Sequence, residues 1–111
     1  MEFLPLPAFQ DNYIWAVFDD SGGCMVVDPG QAEPVLAFLR EKSLTLTTIL
    51  ITHHHPDHVG GIAQLLQHTH VPVWGPARET IPHMTRPLYE GDAVHLAMPA
   101  LDMQVMDVPG H

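Results

Sequence analysis

Basic residues are scarce in this 111-residue chain: four lysines and arginines stand against thirteen aspartates and glutamates, a formal charge of −9 at pH 7. A protein that binds nucleic-acid phosphates or an anionic lipid surface needs clustered positive charge, because that electrostatic attraction supplies most of its non-specific affinity. The shortage of lysine and arginine therefore argues against nucleic acid and membrane partners.

Long apolar runs are missing as well. No stretch approaches the roughly 18 apolar residues of a membrane-spanning helix. The opening sequence has neither the basic start nor the continuous apolar segment of a secretory signal. The single cysteine, Cys24, cannot form an internal disulfide bond, which fits a reducing compartment. We therefore expect a cytoplasmic protein in which Cys24 is a small core residue on a strand.

The chain does contain enough apolar material for one folded domain. Hydrophobic residues make up 46% of the sequence and charged residues 15%, a balance typical of a globular core rather than a disordered tail. A domain of this length buries somewhat under about 70% of the surface that its unfolded chain exposes. Eleven prolines and eight glycines punctuate the sequence, so the secondary-structure elements should be short.

Hydrophobic periodicity divides most of the chain into alternating strands and helices. Tyr13 to Phe18 and Cys24 to Val27 flank a turn-forming run, which predicts a β-hairpin. The next elements are predicted in the order helix, strand, helix, strand, over residues 33–42, 46–51, 60–67 and 71–74. This order is typical of an α/β fold. Residues 75–92 are turn-rich, and two more strands are predicted over residues 93–97 and 103–108.

Four of the nine histidines fall within the sequence THHHPDHVGG, directly after a predicted strand. His53 and His55 are two residues apart, so in an extended segment one metal ion can bind both. Pro56 prevents regular strand pairing from continuing. Asp57 and His58 are then presented from a different direction, where a second metal ion is the natural occupant. Imidazole and carboxylate ligands suit zinc, iron or manganese.

A solvated histidine-rich loop or a tag-like sequence is the alternative interpretation of this cluster. Its internal position argues against a tag. It also lies at the carboxyl end of a buried-type strand, where open α/β sheets place their ligands, and this favours a metal site. Four other histidines lack ligand-type spacing and are expected to be surface or ordinary core residues: His68, His70, His83 and His95.

The motif Thr52-His53-x-His55-x-Asp57-His58, followed by two glycines, resembles the signature of the metallo-β-lactamase superfamily. Further segments resemble bacterial hydroxyacylglutathione hydrolases (glyoxalase II) in the same order: residues 7–9, 11–15, 27–30, 75–79 and 108–111. The resemblance implies an αββα sandwich with a dinuclear metal centre at the sheet edge. This chain would form its first half, a mixed β-sheet with flanking helices.

The resemblance also implies a ligand set, carried over residue by residue. One metal ion would be held by His53, His55 and His111, while Asp57, beside the nucleophilic water, and His58 would begin the second site. Two zinc ions are expected in the full-length subunit, with iron or manganese as alternatives.

Asp28 would lie beside the metal centre as a supporting group rather than a ligand. From the residues alone, an Asp-Pro-Gly turn with no electrostatic role explains Asp28 almost equally well. Both interpretations stay open at this point.

The implied activity is hydrolysis of the thioester of S-2-hydroxyacylglutathione. The example is S-D-lactoylglutathione, which yields glutathione and D-lactate in the second step of methylglyoxal detoxification. Sequences of this family continue to a bridging aspartate, a further histidine ligand, a second sheet and a helical domain. We therefore expect residues 1–111 to be the amino-terminal part of a metallo-β-lactamase-like domain, and the full-length protein to be a monomer.

Other functions fit the same sequence. Within the same fold, the alternatives are a persulfide dioxygenase with one iron ion, a lactonase, or an RNA-processing nuclease. The net negative charge disfavours the nuclease. An inactive fragment that binds metal or nothing is an alternative of another class.

Overall fold

The computed structural model describes residues 2–8, 12–52 and 59–104. Within these ranges the chain forms eight strands and two helices. In chain order they are β1 (Glu2–Ala8), β2 (Asn12–Phe18), β3 (Gly23–Val27), α1 (Glu33–Lys42), β4 (Thr45–Leu50), α2 (Ile62–His68), β5 (Val73–Pro76), β6 (Arg86–Leu88), β7 (Ala93–Ala97) and β8 (Ala100–Gln104).

Six strands form one mixed sheet in the order β1-β2-β3-β4-β5-β6. The first three strands pair antiparallel, and β3, β4, β5 and β6 pair parallel. Each of the first two parallel connections passes through a helix, α1 and then α2, which is the usual crossover between parallel strands. The predicted α/β class and mixed sheet are therefore confirmed.

Both helices pack on one face of this sheet and form the larger core with it. Val35 and Phe38 of α1 and Ile62 and Leu65 of α2 are buried against strand residues. The ring of Phe38 meets that of Phe18 edge to face, with centroids 5.5 Å apart, a favoured aromatic geometry. Neither helix is long and apolar enough to cross a membrane.

The β7–β8 hairpin packs on the opposite face of the sheet. Its inward residues Val94 and Leu96 are buried against Val17 and Met25, an arrangement in which alternate strand residues face the core. The turn of the hairpin is held by hydrogen bonds: the backbone N–H of Ala100 donates to the Asp19 carboxylate at 2.9 Å. The hairpin begins a second β layer over the first.

Strand β1 was not predicted from the sequence. Pro5 and Pro7 interrupt it, and proline donates no backbone hydrogen bond, so the pattern is not typical of a strand. The structure places β1 at the edge of the sheet, paired only with β2. The two prolines are two residues apart, so their backbone nitrogens face the same side of β1. An edge strand tolerates proline because one of its sides has no partner strand.

Other differences concern strand boundaries after α2. The strand predicted over residues 71–74 lies at Val73–Pro76, and β6 is a three-residue strand within the segment predicted to be turns. The last predicted strand, residues 103–108, begins earlier, at Ala100, and its residues 105–108 lie outside the described ones. Short elements between prolines carry too few residues to set a period.

Cys24 is fully buried on β3, as predicted. Burial raises the pKa of its thiol to about 11, because the uncharged form is favoured in apolar surroundings. The thiolate is the reactive form of cysteine. Little of it is therefore present at neutral pH in the folded protein.

We predict that Cys24 in the native protein reacts with a disulfide reagent at about pH 8 at least ~100-fold more slowly than glutathione does. In guanidinium chloride the thiol is exposed, so its reaction should approach the glutathione rate. The release of coloured thiolate, followed with and without denaturant, measures both rates. Rapid reaction of the native protein would show that Cys24 is accessible.

Candidate metal centre

The predicted metal ligands are His53, His55, Asp57, His58 and His111, and all five lie outside the described residues. Within residues 2–8, 12–52 and 59–104 there is no group of three histidine, cysteine, aspartate or glutamate side chains that could hold a metal ion. The structure does describe the residues next to the motif on both sides, Thr52 before it and Val59 after it.

Thr52 and Asp28 lie at the same edge of the sheet. Asp28 follows β3, Thr52 follows β4 by two residues, and these strands are parallel. Backbone hydrogen bonds link the ends of neighbouring strands here. The N–H of Asp28 donates to the carbonyl of Leu50 in β4 at 2.8 Å, and the N–H of Ile51 donates to the carbonyl of Trp74 in β5 at 2.8 Å. The motif therefore starts where the carboxyl ends of three parallel strands meet, the usual ligand-binding edge of such sheets.

The Asp28 carboxylate accepts two hydrogen bonds from Thr52. One oxygen accepts the backbone N–H at 2.7 Å, and the other accepts the hydroxyl at 2.6 Å. Asp28 is only 9% exposed, and hydrogen bonds to an ionised group are stronger than those between neutral groups. The residue immediately before His53 is thus held through both its backbone and its side chain.

Asp28 also forms a tight turn. Its φ is +54°, a left-handed conformation that aspartate visits more readily than most residues, and the N–H of Gly30 donates to its carbonyl at 2.8 Å. The Asp-Pro-Gly turn is therefore present, and its carboxylate has a defined polar partner. Support of a metal ion by Asp28 stays a prediction.

The four histidines without ligand spacing were expected to be surface or ordinary core residues, and the structure places all of them on the surface: His68, His70, His83 and His95 are exposed. The imidazole of His95 contacts the carboxylate of Asp102 across the β7–β8 ladder. Such an exposed cross-strand pair contributes little to stability. That these histidines lie outside the metal site stays a prediction.

The contact between Asp28 and Thr52 was not predicted from the sequence. The two residues are 24 positions apart, and their pairing follows only once β3 and β4 are known to be parallel neighbours. A signal was nevertheless available. Both residues follow predicted strands joined by one helix, and consecutive strands of such a unit usually lie side by side.

A sequence model of the metallo-beta-lactamase superfamily matches residues 8–110. The chain belongs to this superfamily. The hydroxyacylglutathione hydrolase of Hahella chejuensis is 53% identical over 110 residues, which cover 99% of this chain and 42% of that protein. The hydroxyacylglutathione hydrolase of Nitrosomonas europaea is 50% identical over 107 residues, 96% of this chain and 40% of that protein. The predicted resemblance is confirmed, and the chain spans less than half the length of these curated relatives.

Solved structures confirm the metallo-β-lactamase fold. The class B3 metallo-β-lactamase BLEG-1 superposes with a TM-score of 0.80 at 21% identity, covering 98% of this chain and 62% of that one. ETHE1 from Myxococcus xanthus superposes with a TM-score of 0.71 at 27% identity, covering 86% of this chain and 44% of that one.

The superfamily binds metal ions. A class B3 metallo-β-lactamase from an Alaskan soil metagenome is a di-zinc protein, with a TM-score of 0.61 at 15% identity over 76% of this chain and 42% of that one. Another structure, solved in a di-iron-bound form, has a TM-score of 0.58 at 28% identity over 87% of this chain and 64% of that one. The imidazole and carboxylate donors of this chain's motif suit both metals.

We predict that Asp28→Asn lowers the free energy of unfolding by about 1–3 kcal/mol, because one carboxylate oxygen becomes an amide group that faces a Thr52 donor. Thr52→Val removes only the hydroxyl donor and should lower it by roughly 1 kcal/mol. Urea unfolding followed by tryptophan fluorescence measures both changes.

Asp20→Asn is the matched control for the charge change, because Asp20 is exposed in the β2–β3 turn. A surface substitution of this kind should change the stability by no more than about 0.5 kcal/mol. Equal urea midpoints for Asp28→Asn and Asp20→Asn would contradict the role given to the Asp28 carboxylate.

Proposed function

We propose that this protein is a metal-dependent hydrolase of glutathione thioesters. Its substrate class is S-2-hydroxyacylglutathione, such as S-D-lactoylglutathione, which it cleaves to glutathione and a 2-hydroxy acid such as D-lactate. The observation that carries the proposal is the 53% identity to the hydroxyacylglutathione hydrolase of Hahella chejuensis across 99% of this chain. Cytoplasmic action and a monomeric full-length protein, with no nucleic acid or membrane partner, are part of the same proposal.

Two metal ions are proposed, each with its own residues. His53, His55 and His111 would hold the first ion, and Asp57 and His58 would begin the site of the second. Three histidines leave one position open, which is typical of catalytic zinc sites. Zinc is the proposed metal, with iron or manganese as alternatives, since both suit the same donors.

If metal ions are bound by these residues, they would lower the pKa of a water molecule, so that it could serve as a nucleophile near neutral pH, and would polarise the thioester carbonyl. The chain's own residues hold and orient them. Asp57, beside the attacking water, is the proposed catalytic carboxylate. Asp28 supports the site through Thr52, whose N–H and hydroxyl it accepts. In metal sites generally, groups behind the ligands fix the orientation of those ligands.

The leaving group explains why the motif supplies ligands and no separate proton donor. A thiol has a pKa of about 8.5, so glutathione leaves readily as a thiolate and needs little help from a general acid. A thioester is therefore a substrate that suits a site built from histidines and a carboxylate.

A purified sample of the protein, as its gene encodes it, tests the proposal. We predict hydrolysis of S-D-lactoylglutathione that a chelator abolishes and added zinc restores. His55→Ala should lower kcat/KM by more than ~100-fold, because loss of a ligand has a larger effect than loss of a group behind it. Disappearance of the thioester and release of thiol measure the rate.

His70→Ala is the control, because His70 is exposed and carries no ligand spacing. It should keep the activity of the unsubstituted protein. Equal loss in His55→Ala and His70→Ala would contradict the proposed ligand set. Oxygen uptake with one iron ion per chain, and no thioester cleavage, would instead favour the dioxygenase.

A further inference from the structure

The turn after β3 contacts the chain on both sides of the histidine motif. Before the motif, the Asp28 carboxylate holds Thr52. After it, the carbonyl of Pro29 accepts a hydrogen bond from the backbone N–H of Gly61 at 2.8 Å. Residues 53–58, which carry four of the proposed ligands, lie between these two contacts in the sequence. Residues 28–32, here called the 28–32 turn, therefore contact the chain both before and after the histidine motif.

Gly61 has no space for a side chain. A Cβ placed on it would lie 2.6 Å from the carbonyl oxygen of Pro29, 2.7 Å from the carbonyl carbon of Gln31 and 2.8 Å from the nitrogen of Ala32. All three are backbone atoms, so no side-chain rotation relieves the overlap. The φ of Gly61 is −92°, an ordinary value for any residue. Glycine is thus required here for close approach and not for its backbone conformation.

The support itself is firmly packed. Pro29 is among the fully buried side chains, and Ala32 is buried in the larger core. On the other side, Ile62 follows Gly61 directly and is buried in the same core at the start of α2. A Cβ added to Gly61 would overlap the backbone of the 28–32 turn. Because the turn and the start of α2 are both packed in the core, relieving this overlap must move them apart and disturb the core packing.

We propose that Gly61 is a positioning residue for the metal site: its lack of a side chain lets α2 begin against the turn that also holds Thr52. The inference rests on the proposed function, since it concerns the metal that function requires. His58 is three residues before Gly61 in the sequence. Metal–ligand distances must be right to about 0.2 Å, so displacement of this flank weakens metal binding without removing any ligand.

The test is Gly61→Ala in the protein as its gene encodes it, with Gly23→Ala as a matched control. A Cβ on Gly23 would also meet backbone, 2.7 Å from the carbonyl carbon and oxygen of Met98. Gly23 begins β3, at the end of the strand opposite Asp28. Both substitutions add one methyl group against backbone, and only Gly61→Ala does so beside the motif.

Zinc affinity, from competition with a chromophoric chelator, is the main measurement, and the visible spectrum of the Co²⁺-substituted protein is the second. Urea midpoints measure the stability lost in each variant. We expect Gly61→Ala to bind zinc at least ~10-fold more weakly and to change the Co²⁺ spectrum, the size of effect seen when groups behind metal ligands are altered. Gly23→Ala should lose stability and keep both zinc affinity and spectrum.

Three results would overturn the inference, and they can be told apart. If the unsubstituted protein binds zinc and Gly61→Ala binds it equally well, Gly61 serves packing alone and the proposed function stands. If the unsubstituted protein binds neither zinc nor cobalt, the proposed function fails and the role of Gly61 fails with it. Equal weakening of zinc binding in both glycine variants would also contradict the inference, because the effect would follow general instability.

Discussion

The carboxylate of Asp28 ties together the ends of two parallel strands, β3 and β4, by accepting hydrogen bonds from Thr52. Thr52 follows the last residue of β4 by two positions, where a strand ladder no longer satisfies the backbone N–H groups. A nearly buried carboxylate has a similar need, because burial without hydrogen bonds is unfavourable. The two requirements satisfy each other, since Asp28 accepts from both donors of Thr52. Asp28 makes these contacts from a left-handed φ, which is a strained backbone conformation.

The two faces of the six-stranded sheet are covered to different extents by the described residues. Helices α1 and α2 cover one face, and the β7–β8 hairpin covers part of the other. On that second face the antiparallel register places Tyr13 and Trp15 in line with Val17. Val17 is buried under the hairpin, whereas Tyr13 and Trp15 are 58% and 46% exposed. The apolar surface thus continues past the hairpin, as expected of the inner face of a two-layer sheet.

Periodicity in the sequence predicted the elements whose pattern is long enough to repeat. The helix predicted over residues 33–42 has those bounds, and the first hairpin is where alternation placed it. Strand β1 was missed because prolines at positions 5 and 7 hide an edge strand, and β6 because three residues cannot show a period. Four of the proposed ligands are likewise recognisable in the sequence, because they lie within residues 53–58. The contact between Asp28 and Thr52 is not recognisable there, because only the pairing of β3 with β4 brings these two residues together.

Gly61 shows the same limit of sequence reasoning, and also why the support matters. Two glycines before an apolar helix predict a helix start, yet the structure shows that one of them fits against three backbone atoms. A short segment held at both ends has fewer conformations than one held at a single end. Under the proposed function, contacts of the 28–32 turn with both flanks of the motif would reduce the conformational entropy lost when metal ions bind, and a smaller ordering cost gives tighter binding for the same contacts.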